Sequence, residues 1–343
     1  MKRLIPIILL FAALSCTRPA RYIQVTGQAQ GGTYTVKLNM KGVQVSPEEV
    51  RDSIESLLTE IDTTLPGYNK LSLLSRFNAG EAIRPNALFL EMYAFSYEMW
   101  KRSVGAVDCA AGPLFDAWGF GFREGTQPTD EEVAQLRQQC GMDRLPEQLP
   151  LEDGVLDPAR LGFPRLNYNA VAQGYSCDII ARYLYSLGVK DMLVDIGEIW
   201  CDGVNPSGAP WAVGMDMPTD REEDSVIGDK GLTGVWLSEG KPAGIVTSGN
   251  YRKFYIRDGR KYAHTIDPVS GYPVQHNLLS ATVVSSEGAG VADAVATWCM
   301  VVGFDESREL VLANPALEAW LVFQAGDGSL QEWASPGFRL REE

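Results

Sequence analysis

Thr247-Ser248-Gly249-Asn250-Tyr251-Arg252, then a hairpin, His264-Thr265-Ile266-Asp267-Pro268, Gly271-Tyr272-Pro273, His276-Asn277 and finally Asp293 and Thr297 form the stretch on which the reading of this chain turns. It holds both histidines of the protein and most of the residue types that phosphate and metal chemistry uses. Asp293 and Thr297 stand four residues apart in a segment whose apolar positions Val291, Val295, Trp298 and Val302 recur at helical spacing. Their oxygens therefore share one helix face, about one turn apart. Such hard donors suit Mg²⁺, which takes few protein ligands and leaves room for phosphate oxygens. The same spacing also suits a solvated Asp and a Thr bonded back to its own helix.

Outward from this helix the chain mixes short strands with amphipathic helices. Residues 22–26 and 34–38 alternate as strands around Gly31-Gly32, where either a turn or a close backbone approach to a ligand is expected. Ser46-Pro47-Glu48-Glu49 is a capping box with Pro at the first helical position, continued by Val50, Ile54, Leu57 and Ile61 as an amphipathic helix. Residues 68–78 read as a turn without clear period; Tyr68 at its head suits either a planar ring or the edge of a core. A helix over 86–103 is apolar around much of its circumference and is predicted to be buried. In the Gly- and Ala-rich run 105–114, the lone Asp108 predicts tightly packed backbone beside a buried or ligand-facing carboxylate.

Thr129-Asp130-Glu131-Glu132 caps a third helix ending at Gly141, and 151–165 read as hairpin-like. Asn167-Tyr168-Asn169-Ala170-Val171-Ala172-Gln173-Gly174-Tyr175 enters a fourth helix that stops at Gly188. Its small residues suit an anion on free N–H groups or a close helix contact. Strands follow over 192–197 and 211–215, and Asp258-Gly259 and Asp327-Gly328 close hairpins.

At the start, Lys2 and Arg3 precede an apolar run over 4–14, with Ser15 and Cys16 where a cleavage site belongs. Residues 1–15 thus read as a secretory signal, too short to span a membrane. Cys16 stands where a bacterial lipobox carries its acylated cysteine, with 16–21 as a tether. This predicts a membrane-anchored lipoprotein on the periplasmic side of the cell envelope. The five other cysteines, Cys109, Cys140, Cys177, Cys201 and Cys299, show no zinc-like spacing and read mostly as buried thiols, with one disulfide left open. The formal net charge of −14 excludes nucleic-acid binding by a general field. A polyphosphate ligand would need a local cation. With 343 residues and 45% hydrophobic composition, the chain can fill one large core or two entwined lobes.

In order, these pieces resemble the ApbE family of FAD:protein FMN transferases over about 22–333. The resemblance rests on Gly32-Thr33-Tyr34, the Ser75-Arg76-Phe77-Asn78 end of 68–78, Asp108 with Gly112-Pro113-Leu114 and Trp118-Gly119-Phe120-Gly121, the 169–175 run, Asp195-Ile196-Gly197, Thr247-Ser248-Gly249, 264–273, and Ala292-Asp293-Ala294 with Thr297. It implies an α+β fold, mixed or antiparallel sheets flanked by helices, in one two-lobed unit over 22–343 related to the T-fold. It implies Mg²⁺ held by Asp293, the Thr297 hydroxyl and the Ala170 carbonyl. FAD would contact Gly31, Tyr68, Ala106, Val107, Asp108, Asn167, Gln173 and Ile266. Three positions depart from the family pattern: Gly31 replaces a methionine, Asn250 stands where Asp or Ser is usual, and Gly197-Glu198 carries one glycine where two are common.

The reaction so implied moves FMN from FAD to a Ser or Thr hydroxyl of an acceptor protein, expected to be a membrane redox subunit, and releases AMP. A hydroxyl is a weak nucleophile and a diphosphate repels it, so charge neutralisation and in-line positioning carry the catalysis. His264 is the candidate base by motif, with loop bracing as its other reading; His276 reads as structural. Two further readings use the same pocket: an FAD pyrophosphatase giving FMN and AMP, and a non-catalytic FAD-binding lipoprotein.

Overall fold

The structure, a computed structural model, describes residues 21–119, 128–215, 234–249, 254–257, 260–263 and 265–341, with 254–257 and 260–263 as backbone only. Strands β1 to β7 span Tyr22–Ala29, Gly32–Asn39, Met192–Asp195, Ile199–Asp202, Ala212–Met215, Gly234–Leu237 and Ala243–Gly249. Strands β8 to β13 span Phe254–Arg257, Arg260–Ala263, Leu278–Ser285, Leu317–Gln324, Leu330–Ala334 and Leu340–Arg341. Helices α1 to α8 span Pro47–Thr64, Leu73–Asn78, Ala87–Arg102, Gly112–Ala117, Asp130–Arg137, Ala172–Ser186, Ala289–Val302 and Phe304–Ala313.

An eight-stranded sheet in the order β1-β2-β3-β4-β7-β10-β11-β12 is the spine of the fold. Every described ladder is antiparallel. Side chains alternate across it, as the pleat requires: Trp200, Val246, Val283, Ala319 and Leu321 join the core under the helices, whereas Cys201, Ile245, Val284, Trp320 and Val322 join a second core. That second core is closed by Trp211, just before β5, by Met215 at the end of β5, and by Trp236 of β6, in the small sheet β13-β6-β5. The result is three layers, helices on one face and a short sheet on the other, which is the α+β arrangement expected.

Helix α7 lies between α6 and the strands β7 and β10. It fits because its buried face is mostly Ala and Gly and because its neighbours are glycines at the contacts. A Cβ on Gly174 would come within 2.3 Å of Ala289 O, and one on Gly244 within 2.4 Å of Ala289 Cα. The small residues at the start of α6 therefore serve a close helix contact. With Gly288 unable to cap α7, Asp178 on α6 does so, its carboxylate accepting Ala289 N–H at 2.7 Å and Gly290 N–H at 2.8 Å.

Both predicted capping boxes form, at Ser46 and Thr129, and Asn86 caps α3. The third helix ends at Arg137 rather than Gly141, because Gln138 and Gln139 turn back to Gln135 and Leu136 in a tightened last turn. Residues 151–165 make only the bridges Glu152–Val155 and Ile83–Leu156. Pro158, which has no N–H for a ladder, then opens the 3₁₀ turn Pro158–Leu161. Within 68–78 a short helix, α2, forms with Ser72 as its cap. All five described cysteines are free, and all but half-buried Cys140 are buried. Strands β8 and β9 pair from Phe254–Ala263 to Arg257–Arg260; Asp258 and Gly259 lie outside the described residues. Among the described residues no helix is long and apolar enough to cross a membrane.

Candidate functional site

A cavity of about 840 Å³ opens where the first turns of α6, the middle of α7, β7, β5 and the loop after α3 meet. Its walls include Ala106, Val107, Asp108, Asn167, Ala170, Gln173, Ile266, Asp293 and Thr297. The fold thus brings together nine positions scattered over nearly two hundred residues of sequence. Gly31 and Tyr68 are not among its lining residues. Gly31 sits exposed in the β1–β2 turn, and Tyr68 is 53% exposed, its hydroxyl donating to Asp62 at 2.8 Å. His264 and Cys16 lie outside the described residues.

Asp293 is the deepest acid of the site, only 5% exposed. Its Oδ2 accepts the Gly174 N–H at 2.9 Å. Burial pushes its carboxyl up to about 7, the Gly174 bond works against that, and Asp178 adds to it. Thr297 stands one turn further along α7, half-buried on the same cavity wall.

Asp108 is held differently. Its Oδ1 accepts Ala110 N–H at 2.8 Å, and Met142 N–H donates to both oxygens at 3.0 and 3.1 Å. Burial still raises it to about 6, so this acid both tethers the 141–144 turn and faces the cavity. Asn167 is buried; its N–H donates to Cys109 O at 2.7 Å and its Oδ1 accepts Asn169 N–H. Gln173 Nε2 donates to Ile196 O at 2.7 Å. Its amide lies where a Cβ on Gly197 would be, 2.2 Å away, and Gly197 has φ +93°; only glycine serves at that turn. Ile266 is anchored by a small cluster with Ala111, Leu114, Trp118 and Val133.

One lining acid carries no assignment from sequence: Glu198, directly after Gly197. Burial raises its carboxyl well above the ordinary range, and the charge of Asp293 adds to this, while the Thr247 N–H opposes it. The single-glycine departure marks this position, but spacing cannot show that a turn aims the side chain inward. His276 is structural: Leu278 N–H donates to Nδ1 at 3.3 Å, leaving Nε2 to donate to Met300 O at 2.9 Å.

Among the described residues lining the cavity there are three acids, Asp108, Glu198 and Asp293, and no Lys, Arg or His. No group of three or more His, Cys, Asp or Glu that could hold a metal occurs among the described residues. A cation here would therefore rely on one buried carboxylate with hydroxyl, carbonyl and ligand oxygens. That is the hard, sparse donor set Mg²⁺ accepts, and Asp293, Thr297 and Ala170 on one cavity wall fit it.

The fold and this pocket define a small-molecule site built between a helix pair and the central strands of an antiparallel sheet. The profile of the ApbE family matches residues 31–321. The chain is 31% identical to the FAD:protein FMN transferase of Haemophilus influenzae, over 100% of this chain and 99% of that one. It is similar in structure to the flavin transferase ApbE from Vibrio cholerae, with TM-score 0.73, 29% identity and coverage of 93% of this chain and 98% of that one. The apo form of the Pseudomonas stutzeri flavinyl transferase ApbE gives TM-score 0.76 at 29% identity, covering 92% and 95% of the two chains. The chain belongs to the ApbE family.

Proposed function

We propose that this protein transfers the FMN part of FAD to a Ser or Thr hydroxyl of another protein, releases AMP, and requires Mg²⁺. The observation that carries the reading is an acidic cavity, with Asp293 buried at its base and no described cationic side chain in its wall. An anionic diphosphate enters such a cavity only with a cation. The name shared by relatives over their full length, FAD:protein FMN transferase, supplies the substrate and the kind of acceptor.

In the step proposed, the acceptor oxygen forms a bond to the FMN phosphorus, the bridging P–O bond to AMP breaks, and the hydroxyl proton is removed. When bound at Asp293, Thr297 and the Ala170 carbonyl, Mg²⁺ supplies the positive charge that offsets the diphosphate oxygens. Asn167 and Gln173, each fixed by its own hydrogen bonds, would line the ligand without reorganising, which keeps attacker and phosphorus aligned. His264 is proposed as the base for the hydroxyl proton. Cys16 is proposed as the acylated N-terminus, holding the enzyme at the periplasmic face of a membrane where a membrane redox subunit could serve as acceptor.

The test is to incubate the protein with FAD, Mg²⁺ and an acceptor domain and look for yellow fluorescence that survives a denaturing gel. Labelled acceptor with AMP release is the expected result. Free FMN and AMP without label would make it a pyrophosphatase, and FAD binding without cleavage would make it a flavin-binding protein.

A further inference from the structure

We propose that Asp178 is a positioning residue for the cation site: from α6 it fixes the register of α7, so that Asp293 and Thr297 share the cavity wall with Ala170. The proposal rests on the Mg²⁺ reading above and adds to it a residue that does not itself line the cavity.

The Asp178 carboxylate engages two successive backbone positions of α7, Oδ1 accepting Ala289 N–H at 2.7 Å and Oδ2 accepting Gly290 N–H at 2.8 Å. It fits there because two glycines leave a notch. A Cβ on Gly288 would lie 2.9 Å from Oδ2, and one on Gly290 3.1 Å from the same oxygen. Helix α7 has no side-chain cap of its own, although a Ser or Asn at position 288 would ordinarily supply one. A cap delivered from the neighbouring helix does something that a local cap cannot: it ties the two helices together along their axes.

One turn earlier on α6 the bond runs the other way, with Gly174 N–H donating to Asp293 Oδ2 at 2.9 Å. Each helix thus lends the other a carboxylate. Between these bonds the contact is made by small residues, and a Cβ on Gly290 would also meet Tyr175 Cα at 3.1 Å. Such a face brings helices close but has few large side chains to interdigitate and stop one sliding along the other. Packing therefore sets the separation of α6 and α7, and the two carboxylates set their register.

Register matters here because the candidate donors come from both helices: Ala170 precedes α6, whereas Asp293 and Thr297 belong to α7. Mg²⁺ tolerates little departure from octahedral oxygens at about 2.0–2.1 Å, so a slide of about 1 Å between the helices would spoil the site. Asp293 would divide its charge between Gly174 and the cation. Asp178 is bonded to α7 alone, and its hold does not change when the cation binds.

The experiment uses the full chain with FAD and three variants. Asp178→Asn keeps the shape and one acceptor but loses the charge and the second acceptor. Gly290→Ala keeps the charge and fills the notch. Asn86→Ala removes the cap of α3 and controls for lost stability. For each, the Mg²⁺ concentration that half-saturates FAD fluorescence quenching is measured beside the Mg²⁺ dependence of AMP release and the urea midpoint. Asp178→Asn and Gly290→Ala should each need roughly tenfold more Mg²⁺, the low end of what residues supporting a metal site contribute, with kcat at saturating Mg²⁺ near that of wild type. The control should lower the urea midpoint and leave the Mg²⁺ requirement unchanged. A wild-type Mg²⁺ requirement in Asp178→Asn, or an equal rise in the control, overturns the positioning role and leaves the metal reading standing. A rise in Asp178→Asn with none in Gly290→Ala overturns it in favour of charge alone. A wild-type protein whose FAD quenching and AMP release both ignore Mg²⁺ overturns the metal reading itself, and the positioning role with it.

Discussion

Oδ2 of Asp293 accepts the backbone N–H of Gly174 across 2.9 Å, and this bond joins α7 to the first turn of α6 at the base of the cavity. Gly174 can lie so close only because it has no side chain: a Cβ there would meet Ala289 O at 2.3 Å and Asp293 Cβ at 2.8 Å. The acid that the motif assigns to the metal is therefore also part of the helix contact. Its removal has two separable consequences.

Asp293→Asn keeps an oxygen for the Gly174 N–H and loses the charge. We expect FAD cleavage to fall by roughly 10²–10³-fold, the usual loss when a preorganised charge is removed, with a small change in Tm. Asp293→Ala should lose activity similarly and in addition be destabilised by about 1–3 kcal/mol, because a buried N–H is left without a partner. AMP release and urea unfolding measure the two effects. An Asn variant keeping more than about a tenth of the activity would remove Asp293 from the metal site.

Gly174→Ala tests the packing alone. The added methyl must displace backbone of α7 rather than a flexible side chain end, so the cost should reach or exceed the roughly 1–3 kcal/mol typical of overpacking. Urea midpoints decide it; an unchanged midpoint would mean that α6 and α7 are less tightly joined than the 2.3 Å approach requires.

Proton linkage gives a further expectation. Burial raises Asp293 to about 7 and Asp108 and Asp178 to about 6, from an ordinary 3.8. Between about pH 4 and 7 the folded chain therefore binds more protons than the unfolded one. The stability from these groups is fully present below about pH 4 and is lost as pH rises through 6 to 7. In metal-free protein, Tm should fall from pH 5.5 to 8 through these groups. Mg²⁺ competes with protons for Asp293, so the Tm gain on adding it should be larger at pH 8 than at pH 5.5. A gain independent of pH would detach the metal from this acid.

At the N-terminus, Cys16→Ser should move the protein from the membrane to the soluble periplasmic fraction, since a single acylated cysteine is the anchor proposed. Fractionation followed by immunoblotting reads this out, and undiminished membrane attachment would rule the acylation out.

Much of the frame is legible in the sequence. The capping boxes at Ser46 and Thr129, the helix through Val291 and Val295, and the paired strands around Gly31 are local patterns, and local hydrogen bonding decides them. Helix α2 was not legible, because six residues hung on one Ser72 cap show no full period. Helix α8 fully buries just Ser307 and Val311, with Phe304 and Leu310 packed partly buried against the core, and gave no signal. The sheet order, which sets β4 beside β7 and β7 beside β10, depends on contacts between distant strands that no local pattern carries. The same limit explains the site: motifs named the cavity residues one by one, but not that Tyr68 would turn its hydroxyl to Asp62 or that Glu198 would face Asp293's cavity.

Glu198 is the cavity acid to which no motif assigns a role. It lines the cavity with Asp293, and its carboxyl is held above its ordinary range by burial first and by the Asp293 charge second. The Asp293 charge raises Glu198, whereas Asp293 itself is raised by burial and by Asp178. When ionised, two acids lining one cavity repel an anionic substrate and attract a cation. Glu198→Gln preserves shape and can still accept the Thr247 N–H, so its effect is electrostatic. At a pH high enough to ionise Glu198, FAD should then bind more tightly without Mg²⁺, by roughly tenfold if the neighbouring charge is worth about one pKa unit. The improvement that Mg²⁺ gives to FAD binding should shrink by a similar factor, because the cation meets one negative charge fewer. Fluorescence-quenching titrations with and without Mg²⁺, in wild type and variant, measure both quantities. If the variant shows the same Mg²⁺ enhancement as wild type, Glu198 does not act on the cation, and its place in the cavity wall is a matter of packing alone.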